Sequence, residues 1–392
     1  MKKSLTDIEI KGKRVLMRVD FNVPLDENRV ITDDNRIVQA LPSINYVLKN
    51  GGKLILMSHL GRPKGEVKAE FSLAPVAERL SLLLKKDVKK LDDCVGEKVQ
   101  EEVSGMKKGD VVLLENLRFH KEETKNDPDF AKKLASLADV FVEDAFGTCH
   151  RAHASTVGVT DYLPSAAGFL VKKEIEYFEK VTNNPDKPFC LVFGGAKVAD
   201  KIPVIENMLD KIDFLLIGGA MAYTFLKAKG VQIGFSRCED DMMDTVNMIF
   251  EKAKKKNVII SLPEDHIVAK AVEENAESKV VPENIPEGWI GLDIGPETIR
   301  NYKKVLEKSK TIVWNGPVGL FEMKQFSHGT RELVEFIAEL EAVTVIGGGD
   351  TAAAINQMNM AGKMSHISTG GGASLEYLEG KELPGIAALS SE

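Results

Sequence analysis

Cysteine is scarce in this chain. The 392 residues hold four, Cys94, Cys149, Cys190 and Cys238, far apart and with no C-x-x-C pair. That spacing argues against a disulfide framework and against a zinc site, and it fits a reducing, cytoplasmic compartment. Long apolar runs are missing as well. The longest, 214–226, is interrupted by Gly218 and Gly219 and is too short to span a bilayer. The opening Met1-Lys2-Lys3 is followed by Asp7 and Glu9 rather than by an apolar core, so neither an export signal nor a membrane partner is expected. A basic surplus is absent too: the formal net charge is −7, which speaks against nucleic acid as a partner. No segment matches G-x-x-x-x-G-K-[ST], which disfavours a P-loop NTPase. Neither a tandem repeat of short period nor a low-complexity segment is visible.

What is present is a globular composition, 43% hydrophobic and 28% charged, on a chain too long for one ordinary core. Ten short apolar runs recur, at 15–19, 54–57, 111–114, 140–142, 190–193, 214–217, 258–262, 312–314, 343–346 and 366–368. They are rich in β-branched residues and nearly continuous in hydrophobicity, as strands covered on both faces read. Helical patterns lie between them, as at 73–84 and 130–138. The alternation predicts an α/β fold of two Rossmann-like domains, each with a mainly parallel sheet covered by helices on both faces. A charged helix at 168–181, with Glu176 and Lys180 four apart, runs into Asn183-Asn184-Pro185-Asp186-Lys187-Pro188, where a hinge is expected. The expected division is a first domain over 1–168, a hinge helix and linker over 169–188, a second domain over 189–375, and a tail over 376–392.

The unusual polar residues gather where the apolar runs end. In open α/β sheets that is where ligands bind. In the first half, Asp20 and Asn22 end the first run and offer groups for hydroxyl or carboxylate oxygens, with Arg36 soon after. His59 and Arg62 flank Gly61 after the second, Glu115 and Arg118 follow the third, and Arg151 with His150 and His153 follows the fourth. Arginine's planar fork matches phosphate and carboxylate. Any one of these side chains alone reads as a solvated or salt-bridged group; recurrence at successive strand ends of an acidic protein points to a small ligand with both groups. A metal on His150 and His153 lacks a convincing third ligand.

The second half is glycine-rich at the same places. Gly194-Gly195 precedes Lys197 and Lys201, which share a face if a helix begins there and so suit a polyphosphate. Gly347, Gly349 and Ala352 loosely match a dinucleotide fingerprint, but Asp350 would repel a pyrophosphate unless a magnesium ion lay between them. With Thr351 at a helix start, the loop favours a metal-nucleotide over NAD. Gly370-Gly371-Gly372 exposes backbone N–H groups at another helix start, and Glu322 could accept from a ribose. A tight turn and an exposed surface acid are the plain readings of these last two.

Eight segments, 18–24 (RVDFNVP), 58–63 (SHLGRP), 115–119 (ENLRF), 147–156 (GTCHRAHAST), 194–201 (GGAKVADK), 314–319 (WNGPVG), 347–351 (GGGDT) and 368–373 (STGGGA), together resemble the motifs of the phosphoglycerate kinase family, in that family's order and across nearly the whole chain. The resemblance implies reversible transfer of a phosphoryl group from 1,3-bisphosphoglycerate to ADP in glycolysis, giving 3-phosphoglycerate and ATP, by a cytoplasmic monomer. It further implies that Asp20, Phe21, Asn22, Arg36, His59, Leu60, Gly61, Arg62, Arg118 and Arg151 bind the phosphoglycerate. Gly195, Lys197, Lys201, Gly291, Asn315, Glu322, Gly348, Gly349, Asp350 and Thr351 would bind ADP or ATP, with Asp350 also holding Mg²⁺. Arg36, Lys197, Gly371 and Gly372 would stabilise the transferring group. The tail would return to the first domain. Three positions depart from the family pattern: Cys149 where alanine is commoner, Ala199 where serine is common, and His266 where an aliphatic residue is usual. The implied chemistry is in-line attack by a β-phosphate oxygen on an acyl phosphate, with catalysis by positioning and charge stabilisation after domain closure. An NAD-dependent dehydrogenase and a non-catalytic anion-binding module stand as alternatives from the residues alone.

Overall fold

The computed structural model describes residues 2–391; Met1 and Glu392, the outer ends of the first and last expected ranges, lie outside the described residues. The chain forms two compact units, one of Met1–Glu176 with Glu382–Glu392 and one of Tyr177–Lys381.

The first unit contains β1 (Arg14–Arg18), β2 (Lys53–Met57), β3 (Lys89–Lys90), β4 (Val111–Leu113), β5 (Val140–Glu143) and β6 (Ser165–Ala167). They form one sheet in the order β3-β4-β2-β1-β5-β6, and every pairing is parallel. Its helices are α1 (Asn35–Lys49), α2 (Ala74–Leu84), α3 (Glu97–Ser104), α4 (Lys121–Thr124), α5 (Pro128–Ala135) and the start of α6 (Phe169–Asn183). Ile37, Ala40, Ile44 and Val47 recur at helical spacing on α1 and pack with Val15, Met17, Leu54 and Leu56 of the sheet. The alternate strand residues Leu16, Ile55 and Phe141 are also fully buried, so both sheet faces are covered. The central strands therefore read as continuous apolar runs, because beyond their opening residues Arg14 and Lys53 their side chains are buried on either face. The division between the units falls inside α6.

The second unit contains β7 (Phe189–Phe193), α7 (Ile202–Met208), β8 (Phe214–Ile217), α8 (Met221–Ala228), α9 (Met243–Lys255), β9 (Ile259–Ser261), β10 (Asp265–Ala269), β11 (Ser278–Pro282) and β12 (Ile290–Ile294). It continues with α10 (Pro296–Lys308), β13 (Thr311–Asn315), α11 (His328–Ile337), β14 (Val343–Gly347), α12 (Gly349–Gln357), β15 (His366–Ile367) and α13 (Gly372–Leu378). A second parallel sheet runs β15-β14-β13-β7-β8-β9. Cys190, Val192, Ile312 and Trp314 from its centre pack with Tyr302 and Leu306 of α10 and Leu333, Val334 and Ile337 of α11.

All ten apolar runs are strands of these two parallel sheets. Beyond them lies an antiparallel sheet, β11-β10-β12, which the sequence pattern does not announce. Its strands carry Asp265, His266, Gly291 and Asp293, and only Val281 of β11 is buried. Its apolar packing is a small cluster, Tyr223, Leu226, Val268, Val281 and Trp289, and the buried Asp265 of β10 is instead held by hydrogen bonds from Thr298 of α10, so continuous hydrophobicity is not needed.

After α13 the chain re-enters the first unit, where α14 (Pro384–Ala387) lies. Gly385 N donates to Cys149 O at 2.9 Å, Lys3 N donates to Ser390 O at 2.9 Å, and Lys2 Nζ reaches Ala387 O and Leu389 O. Cys149 is fully buried beneath this tail, and a Cβ at 385 would lie 2.9 Å from its Cα. No helix of the described residues is long and apolar enough to cross a membrane.

Candidate active site

In the first unit the expected residues sit at the carboxyl ends of four adjacent strands, β1, β2, β4 and β5. The organising group is Arg18, the last residue of β1, which is fully buried. Its Nε donates to Ser155 Oγ at 2.8 Å, Nη1 to Val19 O at 2.5 Å, and Nη2 to His59 Nδ1 at 3.1 Å. Ser155 in turn donates Oγ–H to Glu123 Oε1 at 2.6 Å and its N–H to Oε2 at 3.0 Å. The buried cation is thus matched to a buried carboxylate through one hydroxyl. A guanidinium only donates, so His59 Nδ1 must accept, and the ring presents Nε2–H. Burial first, then Arg18, Arg118 and Arg36, push the His59 pKa well below its ordinary value. His59 is therefore a neutral donor.

The neighbouring loops are tied to one another. Arg36 on the first turn of α1 pairs with Asp20 at 2.6 Å. Asn22 Oδ1 accepts Gly61 N–H at 2.8 Å, and Gly61 O accepts Arg118 Nη1–H at 2.8 Å. Gly61 has φ +62°, and a Cβ there would collide with the Phe71 ring, so only glycine lets this loop pass. Asn116, fully buried, takes Leu60 N–H and donates to Leu60 O and Phe71 O. Phe21 is buried, with its N–H on Ser58 Oγ. Arg62 and Arg151 are exposed.

A cavity of about 570 Å³ opens here, with Arg62, Lys64, Arg118, Lys121, Lys125 and Arg151 in its wall and no carboxylate. Burial and the neighbouring Arg18 lower the Arg118 pKa to about 10, and the same causes hold His153 at about 4. This is concentrated positive charge without a built-in counter-ion. Asp20, Asn22, Arg36 and His59 are not in the wall of this cavity; Asn22 is joined to Arg118 in it through Gly61.

In the second unit a cavity of about 380 Å³ brings together Gly195, Lys197, Lys201, Asn315, Gly348, Gly349, Asp350, Thr351 and Gly371. Gly372 begins α13 beside it, whereas Gly291 and Glu322 are not in its wall. Gly291 is buried in β12, its N–H on Ser236 Oγ at 2.9 Å, and Glu322 is exposed. One expectation needs correcting. Lys197 and Lys201 do not share a helix face, because α7 begins only at Ile202, after both. Glu239 takes the N–H groups of Val198 and Ala199, each at 3.2 Å, and so supports a turn in place of a helix. The lysines still reach one cavity. Lys201 donates to Asn315 Oδ1, and burial brings its pKa down to about 8 against the pull of Asp200 and Asp350. Thr351 Oγ1 accepts Gly316 N–H at 2.8 Å, and Asp350 is exposed in the first turn of α12.

The model of one family, Phosphoglycerate kinase, matches residues 5–381. The chain belongs to the phosphoglycerate kinase family. A phosphoglycerate kinase of Thermosipho africanus is 57% identical over 396 residues, covering 100% of this chain and 98% of that protein. One of Prosthecochloris aestuarii is 54% identical, covering 99% of each. Among solved structures, phosphoglycerate kinase from Coxiella burnetii superposes with a TM-score of 0.89 at 43% identity, covering 99% of this chain and 98% of that one. That from Pyrococcus horikoshii gives 0.87 at 34%, with the same coverage. The chain is accordingly a kinase of glycolysis, and the dehydrogenase alternative falls.

Against the expectations from the kinase motifs, the geometry adds residues that were not singled out. Lys64, Lys121 and Lys125 complete the cationic wall; 121 and 125 stand four apart directly after Arg118, a spacing visible in the sequence. Arg18, Glu123 and Ser155 position His59. An arginine inside an apolar run was the available signal, but its partners lie 41 to 137 residues away. Of the departures from the kinase pattern, Cys149 seats the tail and Ala199 lends only its backbone N–H to Glu239. His266 is fully buried in β10 with Nε2 on Glu283 O at 3.2 Å.

Proposed function

We propose that the first unit holds the phosphoglycerate, the second holds the metal-nucleotide, and the phosphoryl group passes directly between them. The single observation that carries this reading is a cavity in one unit lined by six Lys and Arg side chains and no carboxylate, and in the other a glycine-and-lysine cavity with an exposed carboxylate, Asp350. Arg62, Arg118 and Arg151 would hold the phosphate of the phosphoglycerate through bidentate contacts. Asp20, Asn22 and neutral His59 would take its carboxylate and hydroxyl end, with Phe21, Leu60 and Gly61 shaping the backbone around it. Lys201, Gly195, Asn315 and the Gly348–Thr351 turn would bind the nucleotide phosphates, and Gly291 and Glu322 its nucleoside.

Asp350 fits a Mg²⁺ that arrives with the nucleotide: one carboxylate at a helix start, with phosphates and waters filling the other positions, is how that ion is usually held. Bound there, the ion neutralises phosphate charge. Lys197 and the amides of Gly371 and Gly372 would hold the equatorial oxygens of the transferring group, and Arg36 would stabilise the departing carboxylate. Two substrates on two units require closure about the α6 region, which would also keep water from the acyl phosphate. A monomer in a reducing, cytoplasmic compartment completes the reading; the four cysteines are free thiols.

Arg62→Ala tests the assignment, since this exposed side chain does not hold the fold. Losing a charge-assisted contact worth about 1.5–3 kcal/mol should raise KM for 3-phosphoglycerate by roughly tenfold or more and leave KM for ATP unchanged. A rise confined to the nucleotide would overturn it.

A further inference from the structure

The kinase reading gives no task to Asp93, Cys94 and His120. Asp93 and Cys94 follow β3, and His120 follows the short turn Leu117–Phe119 at the end of β4, so the parallel β3–β4 pairing brings residues 26 positions apart to one place. One ligand atom from each lies within 4.8 Å of the others. His120 Nε2 is 2.7 Å from Asp93 Oδ1, and the same oxygen accepts Cys94 N–H at 2.6 Å. The His120 ring rests at 5.1 Å from Phe130, which fixes its plane. Cys94 is fully buried, whereas the side chains of Asp93 and His120 are 51% and 28% exposed, so the cluster has a closed floor and an open mouth.

We propose that Asp93, Cys94 and His120 form a site for a divalent cation of the zinc class. Sulfur, imidazole and carboxylate are that ion's donor set, and the thiolate selects against magnesium and calcium. Around a tetrahedral ion with bonds of about 2.0–2.3 Å, ligand atoms stand roughly 3.5 Å apart. The Asp93–His120 contact must open by less than about 1 Å, which exposed side chains permit. The fourth position faces solvent. Burial and the adjacent Asp93 raise the Cys94 thiol well above its ordinary pKa. An entering cation expels that proton to solvent and supplies the charge that the buried sulfur lacks; no electron moves. The wide spacing in sequence hides the site from any C-x-x-C search. His120 also lines the cationic cavity two residues after Arg118, so a bound cation adds to the positive charge of that wall.

The test uses the full chain with Co²⁺ alone, in buffer free of nucleotide and magnesium near neutral pH. A thiolate-to-cobalt charge-transfer absorption should appear, saturate at a single site per chain and be displaced by Zn²⁺. Cobalt at Asp350 would not give it, because no sulfur is there. The band should persist in Cys238→Ser, whose target is the one cysteine that is not buried, and vanish in Cys94→Ser. His120→Ala should weaken cobalt binding by about tenfold or more. Absence of the band in the parent protein, or its survival in Cys94→Ser, overturns the site. If Cys94→Ser does not fold by circular dichroism, the half-exposed positions decide: undiminished cobalt affinity in both His120→Ala and Asp93→Asn overturns it equally.

Discussion

Arg18 shows how one residue can set the chemistry of another without touching a ligand. Its three donors go to a backbone carbonyl, to Ser155 and to His59, so it leaves His59 neutral and aimed, while Glu123 answers its charge through Ser155. Arg18→Met keeps much of the volume but strands Glu123 in a buried site. The expected loss is about 3–5 kcal/mol in urea unfolding, partly recovered by adding Glu123→Gln. A loss below about 1 kcal/mol would show that the network is not held by charge. His266 carries a different residue-scale consequence. Burial holds its pKa at about 4, against about 6.5 when unfolded. As pH falls below about 6.5 the unfolded chain takes up a proton that the fold refuses, so stability declines down to about 4, by up to about 1.4 kcal/mol per unit. Asp144 and Asp293, both raised to about 7 by burial, act in the opposite sense across that whole range, because the fold retains their protons. The difference between parent and His266→Gln isolates the histidine: the variant should lose less stability between pH 6.5 and 4.5. Equal losses would mean that His266 is protonated in the fold.

Elements were legible where apolar residues run consecutively: β9 was read although it is not buried, and β6, three small buried residues, was not. Ten of the twelve parallel strands could be read because cover on both sheet faces favours apolar residues at consecutive positions. β11 was not, since four of its five residues are exposed, nor was β3, which is only two residues long. The strand-end positions of Asp20, His59, Arg118 and Asp350 followed from the same pattern, because the end of an apolar run marks the end of a strand. What could not be read was the partner of each: Glu239 lies 41 residues from the Val198 N–H it accepts, and no local pattern encodes that distance. The turn 194–201 rests on it. A Cβ at Gly194 would collide with the Pro317 carbonyl, so the turn is anchored on one side by backbone contact and on the other by the Glu239 carboxylate. Glu239→Ala removes two hydrogen bonds from partly exposed amides. It should cost about 1–2 kcal/mol of stability and raise KM for ADP several-fold with KM for phosphoglycerate unchanged. Unchanged ADP kinetics would show that the turn holds its shape without the carboxylate.

At the scale of the whole molecule, the chain divides its folding information unevenly. The first unit is built from both chain ends, whereas the second is continuous. Leu383 and Leu389 are each 2% exposed, Gly385 is seated on Cys149, Ser390 N–H donates to Ser165 Oγ, and Lys2 donates to the carbonyls of Ala387, which ends α14, and of Leu389. Two buried leucines are worth about 1.5–3 kcal/mol each before the hydrogen bonds are added. Removal of residues 383–392 should therefore destabilise the first unit by about 3 kcal/mol or more and leave the core of the second intact. The two tryptophans, Trp289 and Trp314, both belong to the second unit, so their fluorescence reports that unit alone. Far-ultraviolet circular dichroism reports both units. In urea, the truncated chain should lose part of its dichroism at lower denaturant than the parent, while the tryptophan transition keeps its midpoint. The two probes would then cease to coincide, the signature of units that unfold separately. A tryptophan midpoint that falls together with the dichroism would mean that the tail stabilises the chain as a single cooperative body, and that the separate cores of the two units do not confer separate stability.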